Sequence, residues 1–225
     1  VSILEGASSG PTAMVSALIH GNEICGAIAL DQLLSSSFEP DRGRLIVVFA
    51  NVAAFSSFDP AAPYASRFID EDMNRLWSRE ILDGTRQSVE LARARELRPF
   101  AEAANFLLDL HSTSLPAPPM LLCGNREKGR LLAAQMGYPP HVVADEGHIS
   151  GVRLRDFGDF NNDATTKSSA LVECGQHFDS KGPTIALNTI VAFLFACSML
   201  DQASEKFPRP ACVTKQRLIE VNHAV

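Results

Sequence analysis

Short, continuous apolar runs alternate with segments of helical spacing, and this alternation limits the possible fold more than any other feature. Strands are predicted for TAMVSALI, RLIVVFANV, NFLLDLH, MLLC and SALVEC. Helices are predicted for GAIALDQLLSS, SREILDGTRQSVELARARELRPFAEAA (with breaks near Gly84 and Pro99), REKGRLLAAQM and 183–207. A loop is expected from about Ala53 to Ser66. Strands that are apolar on both faces need helices on both sides of their sheet. The sequence therefore predicts an α/β fold whose central sheet is covered by helices on both faces.

The end of the chain predicts a change of structure. Pro208 and Pro210 stop the last helix, and VTKQRLIEV then has the pattern of a strand. We expect residues 1–207 to form one domain. Residues 208–225 would be a linker and the first strand of a C-terminal β unit that is otherwise absent from this chain.

Composition excludes several kinds of partner. The 225 residues carry a net charge of −6, and no segment gathers Lys and Arg into a basic stripe, so nucleic acid is not expected. No apolar stretch reaches the ~18 residues of a membrane span. The nearest candidate, TIALNTIVAFLFACSMLDQ, contains Asn188 and Asp201 and predicts a buried helix. We expect no membrane partner, and the assembly state we consider is a homodimer.

Cysteine usage predicts the compartment. The five cysteines are odd in number, widely spaced and form no C-x-x-C motif. A disulfide framework is therefore not expected, which favours a reducing compartment. The first residues, VSILEGASSGP, lack the basic region and long apolar core of a signal peptide. The prediction is a cytoplasmic protein.

Four polar residues lie at or near the ends of predicted strands, where functional groups gather in open α/β sheets. They are His20, Glu23, His111 and Glu173. Two imidazoles and a carboxylate suit Zn²⁺ and leave a position for water. Each residue also has a simpler interpretation. His20 could be an ordinary hydrogen-bonded histidine, Glu23 a carboxylate favoured by a helix dipole, and His111 a structural partner of Asp109.

Glu173 is the hardest of the four to explain structurally, because a carboxylate inside an apolar strand is costly unless it is paired. Such a group in a cleft is a candidate general base. The loop SRFIDEDMNRLW adds Arg67, Asn74 and Arg75, which could hold a carboxylate and a developing oxyanion. The simpler interpretation is a charged surface loop with local ion pairs.

Taken in order, HGNE, RFIDEDMNR, DLHSTS and VECG resemble the motifs of the succinylglutamate desuccinylase/aspartoacylase family, relatives of the zinc carboxypeptidases. Each motif is weakly specific alone, whereas the ordered set is specific and covers most of the chain. The resemblance implies a zinc-carboxypeptidase-like α/β fold with a mixed, mostly parallel central sheet and helices on both faces, followed by a smaller β domain. Residues 1–207 would then be the catalytic domain of a zinc-dependent amidohydrolase acting on a small N-acyl amino acid.

The resemblance also implies a role for each matching residue. Three would ligate one Zn²⁺ per chain: His20, Glu23 and His111. Arg67 would polarise the scissile carbonyl and stabilise the oxyanion, while Asn74 and Arg75 would hold a substrate carboxylate. Glu173 would take a proton from the attacking water and pass it to the leaving nitrogen.

One position departs from the family pattern. About ten residues before the glutamate, aspartoacylases carry a basic residue that helps to bind the substrate, and here the position holds Asp163. Three basic residues are candidates to replace it: Lys167, Arg153 and Arg155. N-acetylaspartate is for this reason not the first substrate we would predict.

Three other functions remain as alternatives. A metallocarboxypeptidase would use the same residues on peptides. A cysteine enzyme would use Cys174 with His177, although a buried strand cysteine is usually inert. A non-catalytic zinc-binding module would need neither Glu173 nor Arg67.

Overall fold

The computed structural model describes residues 1–202, 204, 206–210 and 215–221. Eight strands are present in this part of the chain: β1 (Ser2–Glu5), β2 (Ser8–Ala17), β3 (Arg42–Phe49), β4 (Phe106–Thr113), β5 (Met120–Leu122), β6 (His141–Ala144), β7 (Ser168–Gln176) and β8 (Arg217–Glu220). The helices are α1 (Ile24–Ser35), α2 (Val52–Ser56), α3 (Arg79–Asp83), α4 (Val89–Ala103), α5 (Glu127–Met136) and α6 (Gly182–Ala196). Short 3₁₀ turns cover Met73–Arg75, Leu154–Asp156 and Gly158–Asn161.

The strands form one sheet in the order β1-β3-β2-β4-β7-β5-β6-β8. Strand β1 pairs antiparallel with β3, and β5 pairs antiparallel with β7, whereas the other neighbours are parallel. The prediction of a mixed, mostly parallel α/β sheet is confirmed. The three central strands β2, β4 and β7 run parallel, so their carboxyl ends meet at one edge of the sheet.

Each face of the sheet is covered by its own apolar core. One core joins Leu108 and Leu110 of β4 to α1, α5 and α6, and the other joins Leu107 to α4 and the 3₁₀ turns. Neighbouring residues of β4 therefore point to opposite faces, as strand geometry requires. This alternation determines on which face of the sheet each polar side chain of β4 lies.

Two predicted helix boundaries were wrong. Pro99 lies inside α4 without ending it, because its position is exposed and solvent can satisfy the carbonyl that loses its partner. The helix predicted to reach residue 207 ends at Ala196, because Ser198 adopts the left-handed region (φ 57°) that terminates helices. Residues 203 and 205 of that prediction lie outside the described residues. Within the described part of the chain, no helix is both long and apolar enough to cross a membrane.

The predicted C-terminal strand is observed over Arg217–Glu220, and it extends the central sheet by pairing in parallel with β6. Residues 213 and 214 of the predicted strand lie outside the described residues. The assignment of 208–225 to a separate β unit stays a prediction.

A buried carboxylate on α4 anchors the loop that carries the arginines. Glu90 is fully buried and accepts hydrogen bonds from the backbone N–H groups of Ile69, Asp70 and Glu71 at 2.7, 3.0 and 3.3 Å. Asn51 Nδ2 also donates to it, at 3.1 Å. Glu90 therefore fixes the backbone of residues 69–71, which lies between Arg67 on one side and Asn74 and Arg75 on the other.

We expect Glu90→Ala to destabilise the fold by about 2 kcal/mol, since several charge-assisted hydrogen bonds are lost together. The thermal midpoint should fall by roughly 4–8 °C for a domain of this size. Glu102→Ala on the same helix is the matched control. Its carboxylate is exposed and forms a surface ion pair with Arg98, so its removal should cost less than about 1 kcal/mol. Equal midpoints for the two variants would contradict the anchoring role.

Candidate metal centre

His20, Glu23 and His111 converge at the carboxyl ends of β2 and β4. One ligand atom from each side chain lies within 4.8 Å of the others, and all three residues are buried. The two oxygens of Glu23 each meet one imidazole, with 2.8 Å to His20 Nδ1 and 2.8 Å to His111 Nδ1. The three residues predicted from the sequence to act together therefore form one group that could hold a metal ion.

The local backbone explains how the HGNE turn supplies two of these side chains. Gly21 lies so close to the segment after β3 that a Cβ there would be 2.4 Å from the Ala54 carbonyl carbon and from Ser66 O. Its N–H donates to Arg67 O at 3.0 Å. Glycine is therefore required for the Arg67 loop to pack directly against the turn.

Two further carboxylates orient the histidines. Asp72 Oδ1 lies 2.9 Å from His20 Nε2, and Asp109 Oδ2 lies 2.7 Å from His111 Nε2. Asp109 is fully buried, and its other oxygen accepts a hydrogen bond from Ser16. Each Nδ1 is thus directed at Glu23 by a carboxylate behind the ring, an arrangement typical of metal-binding histidines. The structural pairing considered for His111 is present together with the metal-binding geometry.

The charges in this cluster shift each other's pKa values. Burial opposes protonation of His111, but the carboxylates of Asp109 and Glu23 outweigh it and raise its pKa well above the usual value. Burial likewise opposes protonation of His20, and Glu23 with Asp72 raises its pKa overall. Burial favours the neutral form of Glu23, yet the two histidines lower its pKa well below the usual value. The same carboxylates that favour a proton on each imidazole would favour a bound cation, so protons and a cation would compete for the two Nδ1 atoms.

Glu173 lies directly beside the triad. It pairs in register with His111 across β4 and β7, and its Oε2 is buried with no hydrogen-bond partner among the described residues. Burial and the nearby charge of Glu23 raise its pKa to about 7. An unpaired carboxylate with a raised pKa at the edge of a metal-binding group has the properties of a general base.

Arg67 contacts the triad at Glu23 and His20. Its Nη1 is 3.4 Å from Glu23 Oε1, and its Nη2 is 2.9 Å from His20 Nε2 and 3.3 Å from Asp72 Oδ2. Its side chain is 38% exposed, so the guanidinium is open to solvent beside the triad.

Asn74 lies beside His111, and Arg75 lies beside Asn74 and Asp72. Asn74 Oδ1 accepts a hydrogen bond from the Leu154 N–H at 2.9 Å, which turns Nδ2 toward His111 Nε2 at 3.4 Å. Arg75 Nη1 donates to the Asn74 carbonyl at 2.8 Å, and Nη2 lies 3.6 Å from Asp72. The seven predicted site residues therefore lie at the triad or are joined to it by direct contacts, by the β4–β7 register or, for Arg75, through Asn74 and Asp72.

The cysteine alternative receives no support from the geometry. His177 Nδ1 contacts Ser112 Oγ at 2.7 Å. The Cys174 thiol is buried, and a hydrogen bond with Cys25 together with its burial raises the Cys174 pKa well above the usual value. A thiol in that state is a poor nucleophile.

The three basic residues considered as substitutes at position 163 are all engaged elsewhere. Arg153 and Arg155 are buried and paired with Asp145 and Asp156. Lys167 donates to the Glu102 carbonyl. Asp163 itself pairs with Arg126 on the surface.

Several contributors to the site were not assigned from the sequence. These are Asp72, Glu90 and Ser112, and the pairing of His177 with Ser112. Asp72 and Glu90 carried a signal, since one lies inside the arginine motif and the other is a charge on the apolar side of a helix. The Ser112–His177 contact joins residues 65 positions apart, and no local pattern indicates it.

Comparisons with known proteins identify the family and the fold. The chain matches the family model of the succinylglutamate desuccinylase/aspartoacylase catalytic domain over residues 9–189. A probable aspartoacylase from Parasynechococcus marenigrum is 33% identical over 124 residues, which cover 52% of this chain and 39% of that protein. Succinylglutamate desuccinylase from Serratia proteamaculans is 36% identical over 109 residues, which cover 44% of this chain and 31% of that protein. The chain thus spans less than half the length of these curated relatives.

A solved structure shows the same fold. The succinylglutamate desuccinylase/aspartoacylase from Rhodobacter sphaeroides superposes with a TM-score of 0.71 at 20% identity, over 99% of this chain and 65% of that one.

Proposed function

The chain belongs to the succinylglutamate desuccinylase/aspartoacylase family, and from this premise we propose that it is a zinc-dependent amidohydrolase that cleaves small N-acyl amino acids. The products would be a carboxylate and a free amino acid. The observation that supports the proposal most is the convergence of His20, Glu23 and His111 on one point, with the unpaired carboxylate of Glu173 beside it.

The donor set fits Zn²⁺. Two imidazole nitrogens and a carboxylate oxygen are ligands of catalytic zinc sites, and the carboxylates of Asp72 and Asp109 hold both rings in the required orientation. Zn²⁺ bound by these three residues would supply a Lewis acid that polarises a carbonyl and makes water more acidic.

The remaining residues would handle the proton and the charges. Glu173 would accept the proton of the attacking water on its free carboxylate oxygen and return it to the leaving nitrogen. The exposed guanidinium of Arg67 would donate to the oxyanion that develops from the scissile carbonyl. Asn74 Nδ2 and the Arg75 guanidinium would hold the substrate carboxylate and so fix the position of the amide.

A combined metal and substrate measurement tests this function. The purified protein should contain about one zinc ion per chain and release free amine from N-acetyl or N-succinyl amino acids. Chelation should abolish the release, and zinc should restore it. Dipeptides are assayed in parallel to detect peptidase activity. If only peptides were cleaved, the protein would be a carboxypeptidase and not an amidohydrolase of N-acyl amino acids. A zinc-loaded protein that hydrolyses neither class would contradict the proposed function.

The raised pKa values of His20 and His111 predict that metal affinity depends on pH. Both side chains must lose a proton before Nδ1 can bind a cation, so affinity falls as pH falls through and below their raised pKa values. Two displaced protons would weaken binding by up to about a hundredfold per pH unit. Competition with a chelator between about pH 6 and pH 8 measures the slope, and calorimetry in two buffers counts the protons released. Equal affinity across this range would show that the histidines are not the ligands.

A further inference from the structure

Four aromatic rings cluster beside the metal centre, and nothing described so far uses them. Phe58, Tyr64, His177 and Phe178 lie with ring centroids 5.8 Å (Phe58–Phe178), 6.3 Å (Tyr64–Phe178), 5.9 Å (Tyr64–His177) and 5.8 Å (His177–Phe178) apart. These separations are those of interacting aromatic pairs. The first two residues come from the loop before Arg67, and the other two follow β7.

The cluster is held open to solvent at a cost to the chain. Tyr64 is 55% exposed and Phe178 is 43% exposed, whereas His177 beneath them is buried. Phe178 also adopts φ 65°, a left-handed conformation that a bulky side chain rarely takes. Exposed aromatic area and local strain together are typical of a ligand-binding surface.

A short chain of contacts joins the cluster to the metal ligands. His177 Nδ1 lies 2.7 Å from Ser112 Oγ, and the Ser112 N–H donates to Glu23 Oε2 at 3.2 Å. Ser112 therefore contacts both the buried His177 ring and Glu23, one of the three proposed metal ligands.

The cluster and the proposed carboxylate-binding residue Asn74 reach the triad through different residues of β4. His111 and Ser112 are neighbours in β4, so their side chains point to opposite faces of the sheet. Asn74 contacts His111 on one face, and His177 contacts Ser112 on the other. A substrate whose carboxylate binds at Asn74 and whose amide lies at the triad would extend its acyl group toward the aromatic rings.

We propose that Phe58, Tyr64 and Phe178 form a subsite that receives an uncharged, apolar acyl group, either aromatic or a medium-length aliphatic chain. The inference rests on the proposed amide hydrolysis at the triad, and it narrows the substrate class. Arg67, three residues after Tyr64, faces Glu23 and Asp72, and in the proposed reaction its guanidinium binds the oxyanion and not the acyl group. The chain after Phe178 carries Asp179 and Lys181, of opposite charge. A dicarboxylic acyl group that pairs with Lys181 is therefore the alternative that the experiment must exclude.

The test compares acetyl, hexanoyl, benzoyl and succinyl derivatives of one amino acid, using the zinc-loaded protein. Phe178→Asn removes the ring and keeps a residue that tolerates positive φ, so the variant should fold. Leu131→Ala on α5 removes an equally exposed apolar side chain (54%) elsewhere and is the matched control. Lys181→Ala tests the dicarboxylic alternative.

We expect the wild type to prefer the hexanoyl and benzoyl substrates over the acetyl substrate. Phe178→Asn should lower the hexanoyl-to-acetyl ratio of kcat/KM by about three- to tenfold, as loss of an aromatic contact predicts. Leu131→Ala and Lys181→Ala should leave the ratio unchanged. An unchanged ratio in Phe178→Asn, or a succinyl preference that Lys181→Ala removes, would overturn the subsite.

Calorimetric binding of hexanoate and of acetate to the same variants separates this inference from the proposed function. Hexanoate should bind the wild type several-fold more tightly than acetate, and Phe178→Asn should abolish the difference. If no amide is hydrolysed, the proposed function fails, and the hexanoate measurement still decides whether the subsite exists. Equal binding of the two acids to the wild type would overturn the subsite even in an active enzyme.

Discussion

Replacing Glu173 with glutamine should lower kcat by roughly 10²- to 10⁴-fold while the metal stays bound, since the variant keeps the shape of the side chain and loses the base. The carboxylate is not among the three proposed ligands, and its Oε2 has no partner in the described structure. The pKa of about 7 applies to the metal-free protein. A bound cation would lower this pKa and keep the carboxylate ionised at neutral pH.

The measurement pairs steady-state kinetics with metal content for Glu173→Gln and Glu96→Gln. The second variant makes the same chemical change on an exposed carboxylate of α4, whose partner is Arg93, and it should retain wild-type kinetics. Full activity in Glu173→Gln would remove this residue from the mechanism. Loss of zinc from Glu173→Gln would instead place the residue among the ligands.

His111→Ala should abolish turnover for a different reason, because the metal itself is lost. Removal of one of three ligands should weaken zinc affinity by more than the roughly 10- to 100-fold that is usual for a residue behind a ligand. Asp109→Asn, which changes the group behind His111, should fall within that smaller range. The two variants therefore separate a ligand from the residue that orients it.

The control for His111→Ala is His148→Ala, which removes an exposed imidazole outside the triad and should leave zinc content unchanged. Circular dichroism must accompany the assay, because His111→Ala leaves the buried carboxylate of Asp109 without its imidazole partner. A folded His111→Ala protein that retains zinc and full activity would contradict the proposed metal centre.

Much of the fold could be predicted because strands buried on both faces have a distinctive sequence pattern. The apolar runs that became β2, β3, β4 and β7 are long and rich in β-branched or aliphatic residues. Strands β1 and β6 were not predicted; their length of four residues is not the reason, since β5 and β8, which are no longer, were predicted. The end of α6 depends on the backbone of one residue, Ser198, and no side-chain pattern predicted that conformation.

The candidate site could be predicted in part for a related reason. Glu173 could be identified because a charge within an apolar strand needs an explanation. The other six site residues were assigned their roles through the ordered family motifs. The partners of Arg153 and Arg155 could not be predicted. A sequence shows that these residues are basic, but only the fold shows that Asp145 and Asp156 neutralise them. The aromatic cluster was missed because it joins two distant loops.

Anomalous diffraction at the zinc edge from crystals of the zinc-loaded protein tests the central claim most directly. We expect one peak per chain, at about 2.0–2.2 Å from Nδ1 of His20, Nδ1 of His111 and a carboxylate oxygen of Glu23. Glu173 should lie within hydrogen-bonding reach of a water on that ion. A zinc-loaded crystal with no peak among these three residues, or with its zinc bound elsewhere, would contradict the account.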